Sequence, residues 1–238
     1  MARADRVAQL LAELLRPTSD GDGLALRLAT AGRKNLGVTG VGLAWMTDQG
    51  PAGTLAVAGA TARVMEDLQY SLGTGPGVHS SRSGCPEMHP DLNKVDIGRW
   101  PGYTSSALQA GVAAVFAFPL QVGGIKLGVL SLYNDAPGHL TVSAVEEATA
   151  LAAAATAVLL HLQSSAGRRG ELHADLADTV LDRAEVYQAT GMVAVQIKST
   201  LADAFAVLRG RAFSSGREIS DVAHSVVTRQ LRFTTGEM

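Results

Sequence analysis

The sequence predicts an α+β fold in which an antiparallel sheet with flanking helices is followed by an all-helical C-terminal region. Two β-rich runs, residues 113–122 and 125–133, flank Gly123-Gly124, which is a strong hairpin signal. From Thr141 onward the apolar residues recur with helical rather than strand periodicity. Hydrophobic residues make up 47% of the 238 residues and charged residues 18%, a composition that provides a substantial core.

Residues 1–17 are predicted to form a separate amphipathic helix, which Pro17 ends. One stripe of this helix carries the apolar side chains of Val7, Leu10, Leu11, Leu14 and Leu15. We expect this stripe to pack on the body of the protein or on a second subunit.

Residues 18–163 are predicted to form one domain. The glycine-rich segment 72–77 is expected to be a loop, because it lacks a Lys-Ser/Thr pair and does not follow a strand as a phosphate-binding loop would. The other expected elements are helices to about Asn35, near 63–70 and from Trp100 to Ala110, and strands at 41–46 and 54–59.

The C-terminal part is predicted to be helical apart from a small, polar linker at 164–170 and a tail at 234–238. A long helix covers 141–163, and a helix at 171–197 has near-heptad apolar spacing that favours dimerisation. Thr200 should cap the next helix through the amide of Asp203, Gly216 should end it, and Ser220 should cap the last one.

Composition and charge exclude several classes of protein. The net charge of −2 gives no overall basic stripe, although residues 199–233 carry five arginines against three acidic residues. The single cysteine, Cys85, excludes an internal disulfide framework and suits a reducing compartment. No signal-peptide pattern follows Met1, and the Ala-rich run 148–167 would be a poor membrane span. We therefore expect a cytoplasmic protein that does not cross a membrane.

The C-terminal residues resemble a known family. The run 183–192 (RAEVYQATGM), followed by Ala204-Phe205, Leu208-Arg209, Ala212 and Val222-Ala223, is similar to the ANTAR domain over about residues 171–233. The resemblance implies a three-helix RNA-binding module. It also implies a homodimer that binds paired stem-loops in nascent transcripts and thereby favours transcription antitermination.

The resemblance also implies which residues contact RNA. The family usually has a lysine at the position of Thr190 and often an acidic residue at that of Tyr187, so this chain lacks one phosphate-binding cation. Gly191 inside a helix costs about 1 kcal/mol relative to alanine, which suggests a close backbone approach there. The expected RNA contacts are Gln188, Thr190, Gly191, Lys198, Arg209, Arg211 and Arg217. The alternative is a helical tail that only dimerises.

The preceding domain resembles the GAF domains found before ANTAR modules in actinobacteria. The resemblance is carried by residues 72–77 (LGTGPG), 91–92, 99–101 (RWP), 111–115, 118–120 and the run 127–133 (LGVLSLY). It implies a small-molecule pocket over the sheet, or a dimerisation unit that binds nothing. The expected pocket residues are Trp45, Gly75, Gly77, Cys85, Trp100 and Tyr103.

No cofactor or metal is expected. His79, Cys85 and His89 are close in sequence, but the prolines among them indicate an irregular loop rather than a ligand set. A redox role for Cys85 is an alternative. No nucleophile with its base and no Gly-x-Ser-x-Gly elbow is present, so we expect a regulator rather than an enzyme. A signal in the N-terminal domain is expected to reach the RNA module through the helices on either side of the linker.

Overall fold

The computed structural model describes residues 3–16, 23–47, 50–169 and 183–234. The N-terminal part contains helices α1 (Arg3–Leu14), α2 (Leu24–Leu36), α3 (Ala60–Leu72), α4 (Pro76–Ser83), α5 (Tyr103–Gln109) and α6 (Val142–Arg169). Its strands are β1 (Gly40–Thr47), β2 (Gly50–Ala58), β3 (Glu87–His89), β4 (Ala114–Val122) and β5 (Ile125–Asn134). The C-terminal part contains α7 (Ala184–Ile197), α8 (Leu201–Ser215) and α9 (Ile219–Val227).

The five strands form one antiparallel sheet in the order β2-β1-β5-β4-β3. The β4–β5 hairpin turns at Gly123-Gly124, as predicted, and Gly123 has the positive φ of 56° that glycine accommodates without strain. The α+β fold class is therefore confirmed. We call residues 24–169 with α1 the sheet domain, and α7–α9 the helical module.

Helices α1, α2 and α6 cover one face of the sheet. Inward-facing Phe116, Phe118 and Leu132 pack there against Leu28 of α2 and Leu151 of α6. The N-terminal helix is held on α6 by its buried leucines and by Arg6, whose Nε lies 2.6 Å from Glu147 Oε2. The stretch Val142–His161 is long and apolar enough to cross a membrane, but half of it is buried against the protein, as in a core helix.

Helices α3, α4 and α5 cover the other face. Side chains alternate between the two faces along a strand, so Val115 and Tyr133 point to this second layer while their strand neighbours point to the first. They pack with Met65 of α3 and with Trp100 and Tyr103 at the start of α5. This second layer positions the candidate site.

Three boundaries differ from the sequence prediction. Helix α6 continues to Arg169, so most of the predicted linker 164–170 is helical. Pro76 begins α4 inside the segment predicted to be a loop, because proline is well suited to the first turn of a helix. The described part of the predicted helix 171–197 is α7, which begins at Ala184 after a turn residue, Arg183. The heptad positions at 172–180 lie outside the described residues.

The helical module has its own small-residue core. Ala189, Val193, Ala204, Leu208, Ala212, Val222, Ala223 and Val226 are buried where the three helices cross. Thr200 Oγ1 accepts a hydrogen bond from the Asp203 amide at 3.2 Å, and Gly216 ends α8 in the left-handed conformation, both as predicted. The prediction for Ser220 was wrong: Glu218 is the residue before α9, and Ser220 lies within the helix.

Candidate functional site

A buried polar network links three elements of the sheet domain. The hydroxyl of Tyr133 on β5 donates to Glu66 Oε1 of α3 at 2.7 Å. Gln69, one turn further along α3, donates from Nε2 to the Tyr133 hydroxyl at 3.1 Å. The amide of Gly77, in the first turn of α4, donates to Gln69 Oε1 at 2.7 Å. The network therefore fixes α3 and α4 relative to the sheet.

The network occupies space that small residues leave free. Glu66 and Gln69 fall on the inward side of α3 with Ala62 and Met65, at the three- and four-residue spacing of one helix face. A Cβ added to Gly42 of β1 would collide with the Glu66 carboxyl group. Glycine at position 42 is therefore what allows a carboxylate to lie flat on the sheet.

Burial raises the pKa of Glu66 to about 7, while the hydrogen bond from Tyr133 acts in the opposite direction. The carboxyl group is consequently able to gain or lose a proton near neutral pH. Burial likewise raises the pKa of Tyr103, whose hydroxyl is buried with no hydrogen-bond partner in the described part of the chain. Ionisable and unpaired polar groups in one layer are typical of a site that takes a ligand.

Four of the six predicted pocket residues lie together in this layer. A Cβ on Gly75 would lie 3.1 Å from Tyr103 Cδ2, and the rings of Trp100 and Tyr103 contact edge to face at 6.0 Å. Gly77 joins them through Gln69. A groove of about 450 Å³ opens beside them. It is lined by Thr74, Gly75, Val78, His79, Arg82, Ser83, Arg99 and Trp100.

The other two predicted pocket residues are elsewhere. Trp45 lies two residues after Leu43 on β1 and thus on the face that α2 and α6 cover, because side chains alternate along a strand. Cys85 is exposed beyond the end of α4. Predicting both as pocket residues was therefore wrong: residue type suggested a pocket role, but strand register and exposure decide their positions.

A carboxylate on β3 joins α4 to the segment before α5. Glu87 Oε2 lies 2.7 Å from His89 Nε2 and 2.9 Å from Arg99 Nη2, and Glu87 Oε1 lies 3.7 Å from His79 Nε2. Burial lowers the pKa of His89, against the effect of its hydrogen bond to Glu87. The two histidines thus converge on Glu87 rather than on Cys85.

Three residues predicted to contact RNA lie along one exposed side of α7. Gln188, Gly191 and Val195 follow one another at helical spacing, and Lys198 continues the row at the helix end. Gln188 and Lys198 are exposed, and the side chain of Val195 is 79% exposed. We call these four residues the α7 face. It combines one cation, one amide and an uncovered apolar patch.

One of the predicted RNA contacts, Thr190, was wrong. Thr190 is buried, and its hydroxyl donates to the Val186 carbonyl oxygen at 2.7 Å, so it faces the core of the module. A Cβ added to Gly191 would have no described atom of another element within 4 Å, so no other described element lies against this position. Its small size leaves the α7 face flat.

The three predicted arginines differ in what they contact. Arg211 is exposed on α8, whereas Arg217 Nη2 donates to the Asp221 carbonyl and to Ser225 Oγ, each at 2.9 Å. The guanidinium carbon of Arg209 lies 3.9 Å from the centre of the Phe205 ring. Arg209 therefore packs inward, against the sheet domain.

The C-terminal end of α3 joins the sheet domain to the helical module. Asp67 Oδ1 lies 2.5 Å from Arg183 Nη2, and the Arg183 guanidinium stacks on Tyr70 at 4.0 Å. Tyr70 is buried in the core cluster of the helical module although it belongs to α3. Beside this contact lies a cleft of about 730 Å³ between the two parts.

Solved structures identify the architecture. The GAF domain of an Acinetobacter phosphoenolpyruvate-protein phosphotransferase superposes with a TM-score of 0.52 at 14% identity, covering 69% of this chain and 97% of that one. The GAF domain of the corresponding Coxiella burnetii protein gives 0.52 at 13% identity, covering 69% and 96%. The sheet domain has the GAF fold. No protein-family model and no curated protein sequence matches the chain.

Sequence reasoning missed the central residues of this GAF-fold domain. Glu66, Gln69 and Tyr133 were not predicted as site residues, and only the structure shows that they form hydrogen bonds to one another. A signal was available: Glu66 and Gln69 interrupt the apolar stripe of a helix at positions that must face the core. A buried polar side chain at such a position requires a hydrogen-bond partner. Its presence therefore indicates that another polar group lies nearby in the core.

Proposed function

We propose that the protein is a signal-responsive regulator that senses through its GAF-fold domain and binds stem-loop RNA through its helical module. In this proposal it acts in the cytoplasm as a homodimer and promotes transcription antitermination. The small-molecule effector would bind in the α3–α5 layer of the GAF-fold domain. The observation that carries the RNA-binding part is the α7 face, where Gln188, Gly191 and Lys198 lie in one exposed row.

The composition of the α7 face suits RNA better than duplex DNA. RNA is recognised mainly at unpaired loops, through stacking, short hydrogen bonds and a few phosphate contacts. A flat face with one amide, one exposed apolar side chain and one cation offers these contacts without a wide basic surface. Arg211 on the neighbouring helix adds a second exposed cation.

The residues that carry the ANTAR resemblance have a structural role that supports the proposal. Ala189, Ala204 and Ala212 are buried where the helices of the module cross, so their small size is required by close packing. Similar packing residues imply a similar three-helix scaffold, and on that scaffold Gln188 and Lys198 point outward.

Salt-dependent RNA binding tests this proposal. Fluorescence anisotropy would be measured with the full chain and a set of RNAs that each carry two adjacent stem-loops. Lys198→Asn removes a charge while keeping a residue that tolerates the left-handed backbone at that position, where φ is 53°. Removing one cation that binds a phosphate should reduce the slope of log K against log salt by about 0.7–0.9. Lys198→Asn and Arg211→Gln should each reduce the slope by this amount.

Lys34→Gln is the matched control, because Lys34 is exposed on α2, in the GAF-fold domain. It should leave the slope unchanged. If neither the wild-type chain nor an Arg183→Asp variant, which should free the module from α3, binds any hairpin RNA at low salt, the RNA-binding proposal is wrong. A protein that still dimerises under those conditions would then support the alternative, in which the helical tail serves only for association.

A further inference from the structure

Arg209 is held in an unusual environment for an arginine on a surface helix. Its Nε and Nη2 atoms are buried and have no hydrogen-bond partner among the described residues. Burial lowers the pKa of Arg209 to about 10, so the group remains charged at neutral pH. A charged guanidinium with unmet donors is costly to bury, and it gains from any partner that supplies acceptor oxygens.

The end of α3 in the sheet domain leaves the space into which the Arg209 guanidinium packs. A Cβ added to Gly73, the residue that ends α3, would collide with the guanidinium, so glycine makes room for it. The guanidinium carbon lies 5.9 Å from the centre of the Tyr70 ring and 3.9 Å from that of Phe205, and these two rings contact each other at 5.7 Å. The C-terminal end of α3 also carries a partial negative charge, which favours a cation there. These features hold a charged side chain without giving it hydrogen bonds.

We infer that this arrangement is an autoinhibited state, in which α3 of the GAF-fold domain withholds Arg209 from RNA until the helical module leaves α3. The inference rests on the proposed RNA-binding function and concerns its regulation. We call the contact of Asp67, Tyr70 and Gly73 with Arg183 and Arg209 the α3 clamp.

The contacts of the α3 clamp are of a kind that another binding partner of the two arginines can replace. Its ion pair joins Asp67, whose side chain is 44% exposed, to Arg183, whose side chain is 14% exposed, so water reaches the carboxylate side of the pair. Its remaining contacts are the stacking of Arg183 on Tyr70 and the packing of Arg209, whose Nε and Nη2 have no hydrogen-bond partner among the described residues. RNA phosphates would supply the acceptors that α3 does not, so RNA and α3 compete for the same side chain.

Helix α3 also connects the clamp to the buried network. Glu66 and Gln69 lie on its inward side, and Asp67 and Tyr70 lie on the side that meets the module. A ligand that breaks the Gln69 contacts with Tyr133 and Gly77 would shift α3 and with it the platform under Arg183 and Arg209. In this inference a change at the buried network reaches the helical module through α3 alone. This route is shorter than the one along α6.

Charge reversal at the ion pair tests the inference in the full chain. Arg183→Asp places a carboxylate against Asp67 and should open the clamp. It also removes positive charge, so simple electrostatics would weaken RNA binding, whereas loss of autoinhibition should strengthen it. If the docked state is populated about tenfold over the open one, the apparent affinity for the tandem stem-loop RNA should rise about tenfold. Adding Asp67→Arg should restore the ion pair in reverse and return the affinity towards the wild-type value.

Hydrogen–deuterium exchange reports the clamp independently of RNA. The amides at the C-terminal end of α3 and those of α8 should exchange faster in Arg183→Asp and recover in the double variant. Tyr70→Ala provides a second way to open the clamp, because Tyr70 packs in the module's core cluster rather than in the sheet core.

The outcomes separate the two proposals. If the open variants exchange faster but bind RNA no more tightly than the wild-type chain, the clamp does not regulate binding and the autoinhibition inference is overturned, while RNA binding stands. If the open variants and the wild-type chain bind no RNA at all, the proposed function itself fails. Tighter binding in both open variants, reversed by the charge swap, supports the inference.

Discussion

The polar residues on the two sides of α3 differ in their burial and in how completely their hydrogen bonds are formed. On the inner side, Glu66 and Gln69 are fully buried and form hydrogen bonds to Tyr133 and to the Gly77 amide. On the outer side, Asp67 is half exposed and Arg209 has guanidinium nitrogens with no partner among the described residues. The inner side of α3 thus belongs to a hydrogen-bonded network within the sheet domain. The outer side contacts the helical module, and there some hydrogen-bond donors have no acceptor among the described residues.

This difference indicates which contacts define the fold and which can change during function. A buried network in which each hydrogen bond is made favours one arrangement, because every alternative leaves a donor or acceptor unpaired. A contact that is stabilised by stacking and one part-buried ion pair, and that leaves guanidinium donors unpaired among the described residues, gains when another partner supplies acceptors. Disturbing the inner side should therefore change stability, and disturbing the outer side should change the position of the module.

The largest expected effect is on the pH dependence of stability, through Glu66. Its pKa is about 7 in the folded protein against 4.5 in the unfolded chain, so the stability associated with the protonated group is fully present below pH 4.5 and is lost as pH rises through 7. This shift corresponds to about 3 kcal/mol. Glu66→Gln cannot titrate and should be more stable than the wild-type protein by up to about 3 kcal/mol well above pH 7.

Urea unfolding at a series of pH values measures this difference. Subtracting the variant from the wild-type free energy of unfolding cancels the other titrating groups, His89 among them. Parallel curves for the two proteins across the range from pH 4.5 to 7 would show that folding does not raise the pKa of Glu66.

A smaller loss of stability is expected when the hydrogen bonds of Gln69 are removed. Gln69→Leu keeps the size of the side chain but leaves the buried Gly77 amide without its acceptor and Tyr133 without a donor. An unsatisfied buried group costs about 1–3 kcal/mol, so we expect a loss of about 2 kcal/mol in the free energy of unfolding. Gln109→Leu on the exposed part of α5 is the matched control and should change it little. Equal effects of the two substitutions would contradict a structural role for the network.

The smallest effect on stability is expected at the outer side. Asp67→Ala removes a half-exposed ion pair and should lower the free energy of unfolding by less than about 1 kcal/mol. It should nevertheless increase hydrogen exchange in α8, because the module loses one attachment to α3. Asp135→Ala, another exposed aspartate of the sheet domain, should alter neither quantity. A loss of several kcal/mol would place Asp67 among the core contacts instead.

Periodicity and turn chemistry were enough to predict most elements. The β4–β5 hairpin, the Thr200 cap and the Gly216 stop each depend on a few neighbouring residues, and each is confirmed. Errors arose where a local signal competed with tertiary packing. The small, polar segment at 164–169 continues the helix α6, and Ser220 lies within α9 although serine is a good cap.

Site residues were predicted less well than elements. Gln188, Gly191 and Lys198 were predicted as RNA contacts from the ANTAR resemblance. The structure places them along one side of α7, where Gln188 and Lys198 are exposed. Trp45 and Thr190 could not be judged from the sequence, because the face of the sheet and the side of the helix that point inward depend on neighbours far apart in sequence. The Glu66–Tyr133 hydrogen bond joins residues 67 positions apart, so the sequence around either residue does not reveal the pairing.

By itself the sequence determined the α+β class, the hairpin, both ends of α8 and the helical character of the C-terminal region, since each depends on backbone preferences within a few residues. Only the tertiary structure decided that Glu66 lies over Gly42 and that Arg209 packs beside Gly73 and Tyr70. The physical reason is that burial and hydrogen-bond pairing depend on which surfaces meet, and the free energy that selects those surfaces is summed over the whole core.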